Sequence, residues 1–274
     1  MKKLLFFIAI VLFVSGISCG TEGSQDNETK FLIKTGFGEI TIRLFDETPQ
    51  HKNNFIKLVN EGFYNDLLFH RVIENFMIQG GDPNSKNAEP GKRLGGGSLD
   101  YTIPAEFVPQ FYHKRGVLAA ARRGDSGNPE KRSSASQFYL VQGTLFTPGK
   151  LDTMEISKNS KLKNDLLREV FTNAQSELEK FKEVNDEAGF NIRVAELREK
   201  ADSAFEASEQ KFKFNEEQRE IYTTIGGYPS LDGGYTVFGE IVEGLEVLDK
   251  IAAMETDKNN RPLEDVKMKI EMVK

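Results

Sequence analysis

Short apolar runs separated by turn residues constrain the fold of this chain more than any other feature. The runs LLFHRVI, FMIQGG, GVLAAA, SQFYLVQG and YTVFGEIV are each bounded by glycine, proline, asparagine or aspartate. Nearer the start, FLIKTGFGEITIRLF alternates on both sides of a glycine-containing turn, which predicts a β-hairpin over residues 31–45. Short strands at even spacing are typical of an antiparallel barrel or sandwich. We therefore expect a mainly β fold.

One amphipathic helix is predicted after this hairpin. Thr48 and Pro49 form a favourable cap and first turn, and Phe55, Leu58 and Val59 then recur at helical spacing until a glycine. The apolar stripe of this helix is available to cover part of the β core.

A highly charged stretch from residue 150 to about 222 breaks the β pattern. Its apolar residues recur at gaps of three and four, which indicates helix. A glycine break separates two such series, so we expect an antiparallel helical pair inserted into the β domain. A long coiled-coil arm is the alternative, but each series spans only two to four turns. Long surface insertions cost little closure entropy, so removal of residues 153–223 should leave a folded barrel. The two series are Leu162, Leu166, Val170, Ala174, Leu178 and Phe181, then Val194, Leu197, Ala201, Ala204 and Phe205.

Residues 1–19 resemble a secretory signal peptide that ends in a lipidation site. Lys2 and Lys3 precede an apolar run that is too short for a transmembrane helix, which needs about 20 apolar residues. The run ends in small residues at Cys19, the only cysteine, within a sequence similar to the cleavage box of bacterial lipoproteins. Residues 20–30 contain no apolar side chain, so we expect a flexible tether. These features predict a bacterial envelope protein that contacts the membrane only through a lipid.

Composition and residue spacing argue against several classes of function. A net charge of -6 and a pI near 5.4 argue against a nucleic-acid partner, which requires a concentrated basic surface. The three histidines, His51, His70 and His113, show no metal-ligand spacing, so we expect neither a metal nor a cofactor. Ser136 and Asp82 could complete a hydrolase triad with His70 on paper, but no serine lies in a nucleophile elbow.

Four blocks of sequence, in order, resemble the cyclophilins, a family of peptidyl-prolyl cis/trans isomerases. They are FHRVIENFMIQGGD, LGGGS, GVLAAARR followed by SASQFYLVQG, and LDGGYTVFGEIVEGLEVLDKI. The resemblance covers about residues 31–142 and 227–273. It implies a closed eight-stranded antiparallel β-barrel capped by two helices, with a substrate groove on the outer face. The LGGGS block is expected to be a turn, because it matches no phosphate-binding spacing.

The resemblance also implies roles for particular side chains. Arg71 matches the catalytic arginine of the family, and Gln79 matches the side chain that hydrogen-bonds the substrate backbone. Ala121 and Arg122 match the edge that holds the residues before the proline. Four side chains match the walls of the proline pocket. With Gln137 and Tyr235, the substrate-binding set is Phe76, Met77, Gln79, Ala121, Arg122, Gln137, Tyr139, Leu231 and Tyr235, in which Phe76, Met77, Tyr139 and Leu231 are the walls.

Three positions depart from the family pattern. Arg122 stands where animal members usually have asparagine, and Tyr235 stands where many eukaryotic members have histidine. Both residues are similar to those of bacterial members. Ser230 stands where many members have tryptophan, which is the largest departure.

The sequence therefore predicts an enzyme that accelerates rotation about X-Pro bonds in envelope proteins. Its expected partners are proline-containing polypeptide segments, and a monomer is expected. The alternative is a non-catalytic peptide-binding module, or a holdase chaperone that uses the same groove and the helical insertion. Intact Arg71, Phe76 and Gln79 favour the enzyme.

Overall fold

The structure, a computed structural model, describes residues 29–273. The predicted signal peptide, the lipidation site at Cys19 and residues 20–28 of the tether lie outside this range. The tether prediction was wrong at its last two residues. The carbonyl oxygen of Thr29 accepts a hydrogen bond from the Leu44 amide at 3.1 Å, and Lys30 begins the first strand. Backbone pairing recruits these two residues into the sheet although neither has an apolar side chain.

In the described part of the chain, ten strands form one antiparallel sheet that agrees with the predicted β architecture. The order along the sheet is β3-β10-β1-β2-β9-β7-β8-β5-β4, and β6 pairs with β8 outside this path. The strands are β1 Lys30–Thr35, β2 Gly38–Leu44, β3 Leu67–Leu68, β4 Arg71–Ile73, β5 Met77–Gly80, β6 Thr102–Ile103, β7 Val117–Arg122, β8 Ser133–Val141, β9 Val237–Glu243 and β10 Lys267–Met272.

The sheet curls into a ring whose two end strands are neighbours in the chain. Strands β3 and β4 are separated only by Phe69 and His70, so the covalent chain completes the ring rather than a pairing between them. The structure differs from the predicted closed eight-stranded barrel in that ten strands are present in the described residues and β3 and β4 do not pair with each other. If β3 and β4 are taken as one bent strand and the two-residue β6 is set aside, eight strands surround the core.

Among the described residues, six helices accompany the sheet. Helices α1 and α6 pack against the barrel, and the other four lie between β8 and β9. The helices are α1 Pro49–Asn60, α2 Pro148–Asn173, α3 Gln175–Glu183, α4 Glu187–Ala207, α5 Glu216–Thr224 and α6 Leu245–Ala252. Within residues 29–273, none of them combines the length and the apolar character needed to cross a bilayer.

The barrel core is built from the inward faces of the strands and the apolar stripes of α1 and α6. Phe31 and Ile33 alternate inward on β1, and Phe55 of α1 meets Phe31 edge to face with ring centroids 5.5 Å apart. Thr48 does not cap α1 with its side chain as expected. Its hydroxyl donates instead to the Phe45 carbonyl at 3.4 Å, and Pro49 alone supplies the expected start of the helix.

The insertion is helical, but it contains four helices where the sequence predicted two. Helix α2 runs outward and continues as α3 after a break at Ala174, and α4 returns beside them. The antiparallel arrangement is held by ion pairs such as Lys163 with Asp202 at 2.8 Å. Helix α5 was not predicted. Its signal was the capping box, in which the Asn215 and Gln218 side chains each bond the backbone of the other.

The insertion has a separable tip and a base that belongs to the barrel. The tip has a small core of its own around Leu178 and Leu197. At the base, Leu151, Phe214 and Tyr222 are fully buried in one cluster with Tyr112 of the barrel domain. The structure argues against the expectation that removal of residues 153–223 leaves a folded barrel, because that deletion takes two buried aromatic rings from the cluster.

Two deletions should separate the tip from the base. We expect removal of residues 167–198, closed with a short glycine-serine linker, to leave the melting temperature within a few degrees of the parent. Removal of 153–223 should destabilise the protein by at least several kcal/mol, because burial of one large aromatic side chain is worth about 3 to 5 kcal/mol. Urea unfolding of both variants provides the measurement. Equal stability of the two would show that the base cluster does not support the barrel.

Candidate active site

The register of three strands brings the predicted site residues onto one face. Arg71 on β4 lies opposite Gln79 on β5, and Gln79 lies opposite Tyr139 on β8. Residues directly opposite each other in an antiparallel sheet share a face, so these three side chains form a row. The intervening residues Val72 and Ile78 point to the other face and are buried in the barrel core. The row therefore lies on the outside of the barrel.

A cavity of about 130 Å³ lies over this row. Phe76 and Met77 enter from the start of β5, Tyr139 from β8, and Leu231 from the short turn before β9. Of the ten residues predicted for catalysis and substrate binding, all but Gln137 line this cavity. The lining consists of Arg71, Phe76, Met77, Gln79, Ala121, Arg122, Tyr139, Leu231 and Tyr235.

Arg71 presents its guanidinium group to the cavity without a carboxylate partner. One terminal nitrogen donates to Oε1 of Gln79 at 3.3 Å, and the group lies 5.8 Å from the Phe76 ring centroid. Among residues 29–273, no aspartate or glutamate forms an ion pair with it. Burial lowers the pKa of Arg71 from its ordinary value. A partly buried cation with unused donors is suited to hydrogen-bond a ligand.

Gln137 lies behind Gln79 rather than in the lining of the cavity. Its Oε1 accepts from Nε2 of Gln79 at 2.9 Å, and its own Nε2 donates to the carbonyls of Gly97 and Gly95 at 2.6 and 3.2 Å. In this orientation of the two carboxamides, each NH2 group donates to an oxygen atom. Oε1 of Gln79 then faces Arg71. Gln137 thus holds Gln79 in place, and it lines the adjoining pocket that also includes Gln79, Ala121 and Arg122. Its direct contact with a substrate stays a prediction.

The glycine turn is anchored from below by Asp82. Its Oδ2 accepts hydrogen bonds from the amides of Gly95 at 2.5 Å and Gly97 at 3.3 Å. A side chain at Gly97 would clash with this carboxylate, since a Cβ atom there would lie 1.9 Å from Oδ1. The predicted turn therefore supports the hydrogen-bonded series that ends at Arg71. The amides of Gly95 and Gly97 are used in these bonds and are not open to a phosphate.

Arg122 stiffens the opposite wall of the cavity. Its guanidinium lies over the Tyr235 ring at 4.5 Å from the centroid, and its Nε donates to the Gly234 carbonyl at 2.5 Å. A terminal nitrogen also donates to Asp125 at 2.6 Å. These contacts fix the Tyr235 ring as a wall. The two departures from the family pattern at positions 122 and 235 therefore pack against each other.

The largest departure, at Ser230, leaves an exposed side chain. Tyr228, two residues earlier, packs its ring against Phe76 with centroids 4.2 Å apart. An aromatic residue therefore supports the Phe76 wall from behind, although it does not occupy the position at which the family has tryptophan.

Sequence reasoning missed a buried hydrogen-bonded series behind Tyr139. The Tyr139 hydroxyl lies 3.0 Å from Nε2 of His113, and Nδ1 of His113 lies 3.1 Å from Oδ1 of Asp232. The other carboxylate oxygen accepts from the Tyr222 hydroxyl of α5 at 2.6 Å. Burial raises the pKa of both tyrosines, so both hydroxyls stay protonated and donate. His113 then carries its proton on Nδ1 and accepts at Nε2.

This series connects the insertion with the cavity, because Tyr222 belongs to α5 and Asp232 directly follows Leu231 in the chain. The sequence indicated for His113 only that it shows no metal-ligand spacing. Its partners are distant in sequence, so no spacing could have indicated them. In residues 29–273, no group of three or more His, Cys, Asp and Glu residues is placed to hold a metal ion.

Comparison with known proteins identifies the family. The model of the cyclophilin type peptidyl-prolyl cis-trans isomerase family matches residues 30–154 and 152–272. The chain therefore belongs to the cyclophilin-type peptidyl-prolyl cis-trans isomerases, as the sequence blocks predicted. Its isomerase class follows from this membership.

Two relatives and one solved structure illustrate the match. A Staphylococcus haemolyticus protein with the provisional name peptidyl-prolyl cis-trans isomerase is 28% identical, over 88% of this chain and 89% of its own length. A Streptococcus pyogenes protein with the provisional name bifunctional phosphatase/peptidyl-prolyl cis-trans isomerase is 32% identical, and the match spans only 37% of that protein. A Cryptosporidium parvum cyclophilin type isomerase has the same fold, with a TM-score of 0.52 at 18% identity, over 90% of this chain and 98% of that one.

His70 gives the site region a characteristic pH dependence of stability. Its side chain is buried, with 2% of the residue exposed, and burial lowers its pKa to about 4, against an opposing influence from Asp82. The unfolded chain binds a proton at His70 below about pH 6.5, whereas the folded protein does so only near pH 4. Stability should therefore fall as the pH drops through this window, by on the order of 3 kcal/mol in total.

Urea unfolding of the wild type and of His70→Asn between pH 7 and pH 4 measures this contribution. The wild type should lose about 2 to 3 kcal/mol more than the variant across that range. The difference between the two proteins reports His70 together with its electrostatic interaction with Asp82. Parallel stability curves would show that His70 is protonated in the folded protein as readily as in the unfolded chain.

Proposed function

We propose that the cavity binds the proline ring of polypeptide segments and that Arg71 promotes rotation of the preceding X-Pro bond. The observation that carries the proposal is a guanidinium without a carboxylate partner at the rim of a small cavity with aromatic walls. Sites for drug-sized ligands and cofactors usually measure about 300 to 1,000 Å³. At about 130 Å³, this cavity suits a single small ring.

The reaction requires loss of amide resonance and no change in covalent bonds. The barrier is about 18 to 20 kcal/mol, and the free reaction takes tens to hundreds of seconds. In the twisted amide, the proline nitrogen regains its lone pair and can accept a hydrogen bond. Arg71 can donate to that nitrogen only in the twisted state, which is differential binding of the transition state.

The energetic requirement is moderate and can be divided between two effects. Acceleration from about 0.01 to about 1,000 per second needs roughly 7 kcal/mol, at about 1.36 kcal/mol per decade. One charged hydrogen bond supplies about half of this. The remainder is assigned to exclusion of water by Phe76, Met77 and Tyr139, because planar amide resonance is charge-separated and is favoured by solvation.

The hydrogen-bonded series behind Arg71 supports this assignment. Gln79 fixes one edge of the guanidinium and is itself fixed by Gln137, so the remaining donors are directed without reorganisation during the reaction. The Cryptosporidium parvum isomerase with the same fold was also crystallised in the presence of the dipeptide Ala-Pro. That neighbour supports proline-containing peptides as the ligand class.

Substitution of Arg71 tests the mechanism. Arg71→Ala should lower kcat/KM for a succinyl-Ala-Ala-Pro-Phe peptide by roughly 100-fold, since loss of one preorganised donor usually costs about 100- to 1,000-fold. The melting temperature should stay nearly unchanged, because Arg71 forms no ion pair that the variant would break. Arg198→Ala on the exposed surface of α4 is the matched control and should have wild-type activity.

Three other outcomes of this assay have distinct meanings. If Arg71→Ala loses stability and activity together, the arginine is structural. If the wild type binds proline peptides without accelerating their isomerisation, the protein is a binding module or a holdase. If turnover follows a bell-shaped pH profile between about pH 6 and 9, a titrating group takes part, whereas the proposed mechanism predicts a nearly flat profile.

We further propose that the enzyme acts in the bacterial envelope, held by a lipid on Cys19 after signal-peptide cleavage. The basic start, the apolar run and the small residues before Cys19 support this location, and residues 20–28 would connect the lipid to the first strand. In this location the clients would be envelope proteins whose folding waits for X-Pro isomerisation.

Replacement of Cys19 tests the anchor in cells. Cys19→Ser should remove incorporation of a radiolabelled fatty acid and shift the protein from the membrane fraction to the soluble fraction. Ser18→Gly keeps the small residue before the cysteine and serves as the control, which should stay lipidated. Membrane retention of Cys19→Ser without label would show that the signal sequence itself, left uncleaved, holds the protein.

A further inference from the structure

A second cavity of about 320 Å³ lies beside the proline cavity, between the barrel and the insertion. We propose that this aromatic groove, lined by Phe107, Phe111, Tyr112, Phe212 and Tyr235, binds an aromatic or large aliphatic side chain of the client within a few residues of its proline. The inference rests on the proposed function and extends it, because it makes the insertion part of substrate recognition.

The two cavities are contiguous through a single ring. Tyr235 lines both of them, and its position is fixed by the Arg122 guanidinium on one side. Successive residues of an extended chain are about 3.3 to 3.6 Å apart, and alternate side chains point the same way. A client whose proline occupies the first cavity and whose backbone crosses Tyr235 therefore directs a neighbouring side chain into the groove.

The insertion contributes a preformed wall to this groove. The Phe212 backbone is held to α2 in both directions, since its amide donates to Oδ1 of Asn159 at 2.7 Å and its carbonyl accepts from Nδ2 at 2.9 Å. Its ring packs edge to face on Phe214, with centroids 4.8 Å apart, and Phe214 is fully buried. Lys158 covers the other part of the Phe212 ring at 3.7 Å. The wall thus requires little ordering when a ligand binds.

The polar groups at the base of the groove are already paired. The Asp232 carboxylate accepts hydrogen bonds from His113 and from Tyr222, and Gln218 approaches it at 3.5 Å. An apolar side chain can therefore enter the groove without removing water from an unpaired charge. On the barrel side, Phe107 is 39% exposed, so it retains apolar surface that a ligand can cover.

The chemistry favours a polypeptide segment over other occupants. Five of the eleven residues that line the groove are aromatic, and the groove opens next to the site that holds the proline of the same chain. Its volume lies at the lower end of the range for organic ligands, which accommodates one large side chain. Burial of such a side chain removes apolar surface from water, so kcat/KM should rise by about 10-fold or more.

The test is a scan of proline peptides with one phenylalanine placed at each position within three residues of the proline, against an all-alanine parent. Isomerisation is followed by NMR exchange, and affinity is measured by fluorescence polarisation with labelled peptides. We expect phenylalanine at one or two positions to raise kcat/KM and affinity about 10-fold over alanine. In Phe212→Ala and in Phe107→Ala, this ratio should fall to below about 3-fold.

Two controls separate the groove from general effects. Ile192→Ala truncates an apolar side chain that is 63% exposed on the tip of the insertion, and the ratio should keep its wild-type value. The deletion of residues 167–198 should also keep it, because Phe212 and its Asn159 contact remain. Phe212 lies in the insertion and Phe107 in the barrel domain. If one of the two alanine variants misfolds, the other still tests the groove.

The outcomes distinguish this inference from the proposed function. Activity on every peptide without a gain from phenylalanine would overturn the groove and leave the isomerase mechanism intact. A gain that survives both aromatic substitutions would overturn the groove as well. If the wild type isomerises none of the peptides, the proposed function fails, and the affinity ratio still decides whether the groove binds an aromatic side chain.

Discussion

The hydrogen bonds of the Asp232 carboxylate connect the barrel with the insertion, and the positions of both depend on them. The carboxylate accepts hydrogen bonds from His113 of the barrel and from Tyr222 of the insertion, and it is continuous in the chain with the cavity wall at Leu231. A buried carboxylate is tolerated only when its oxygens are paired, so neither set of donors can leave without a large cost. The base of the insertion is therefore part of the active-site architecture, and only its tip is an appendage.

A second network fixes the reacting side of the cavity in a comparable way. Arg71, Gln79 and Gln137 are linked in series to the glycine turn, and Asp82 holds the turn. Every polar group in this series except the open donors of Arg71 has a partner within the fold. Two cations line the cavity, and of these two Arg122 is paired with Asp125 whereas Arg71 forms no ion pair within residues 29–273. A polar substrate group therefore meets the unpaired cation at Arg71, beside the carboxamide of Gln79.

Short-range patterns predicted most elements of the barrel, and the family resemblance named the residues of the cavity. Alternation predicted the hairpin, and the family blocks named nine of the residues that meet in one cavity. The bond between Gln137 and Gln79 could not be predicted, because a carboxamide can serve a substrate or a neighbour equally well and the sequence does not show its three-dimensional partners. The buried base of the insertion escaped prediction because Phe214 and Tyr222 lie in a charged stretch, and their contacts with Tyr112 join residues far apart in sequence.

The position of the first strand has a consequence for how the domain is synthesised. Strand β1 lies between β2 and β10, and Phe31 pairs with Met272. One edge of β1 therefore stays unpaired until almost the whole domain has emerged, because its partner is the last strand described. Contacts of such long sequence separation slow folding, and an open strand edge can pair with another chain while it waits. The charged insertion lies between β8 and β9 in the chain. It therefore lengthens the time for which the edge of β1 stays unpaired.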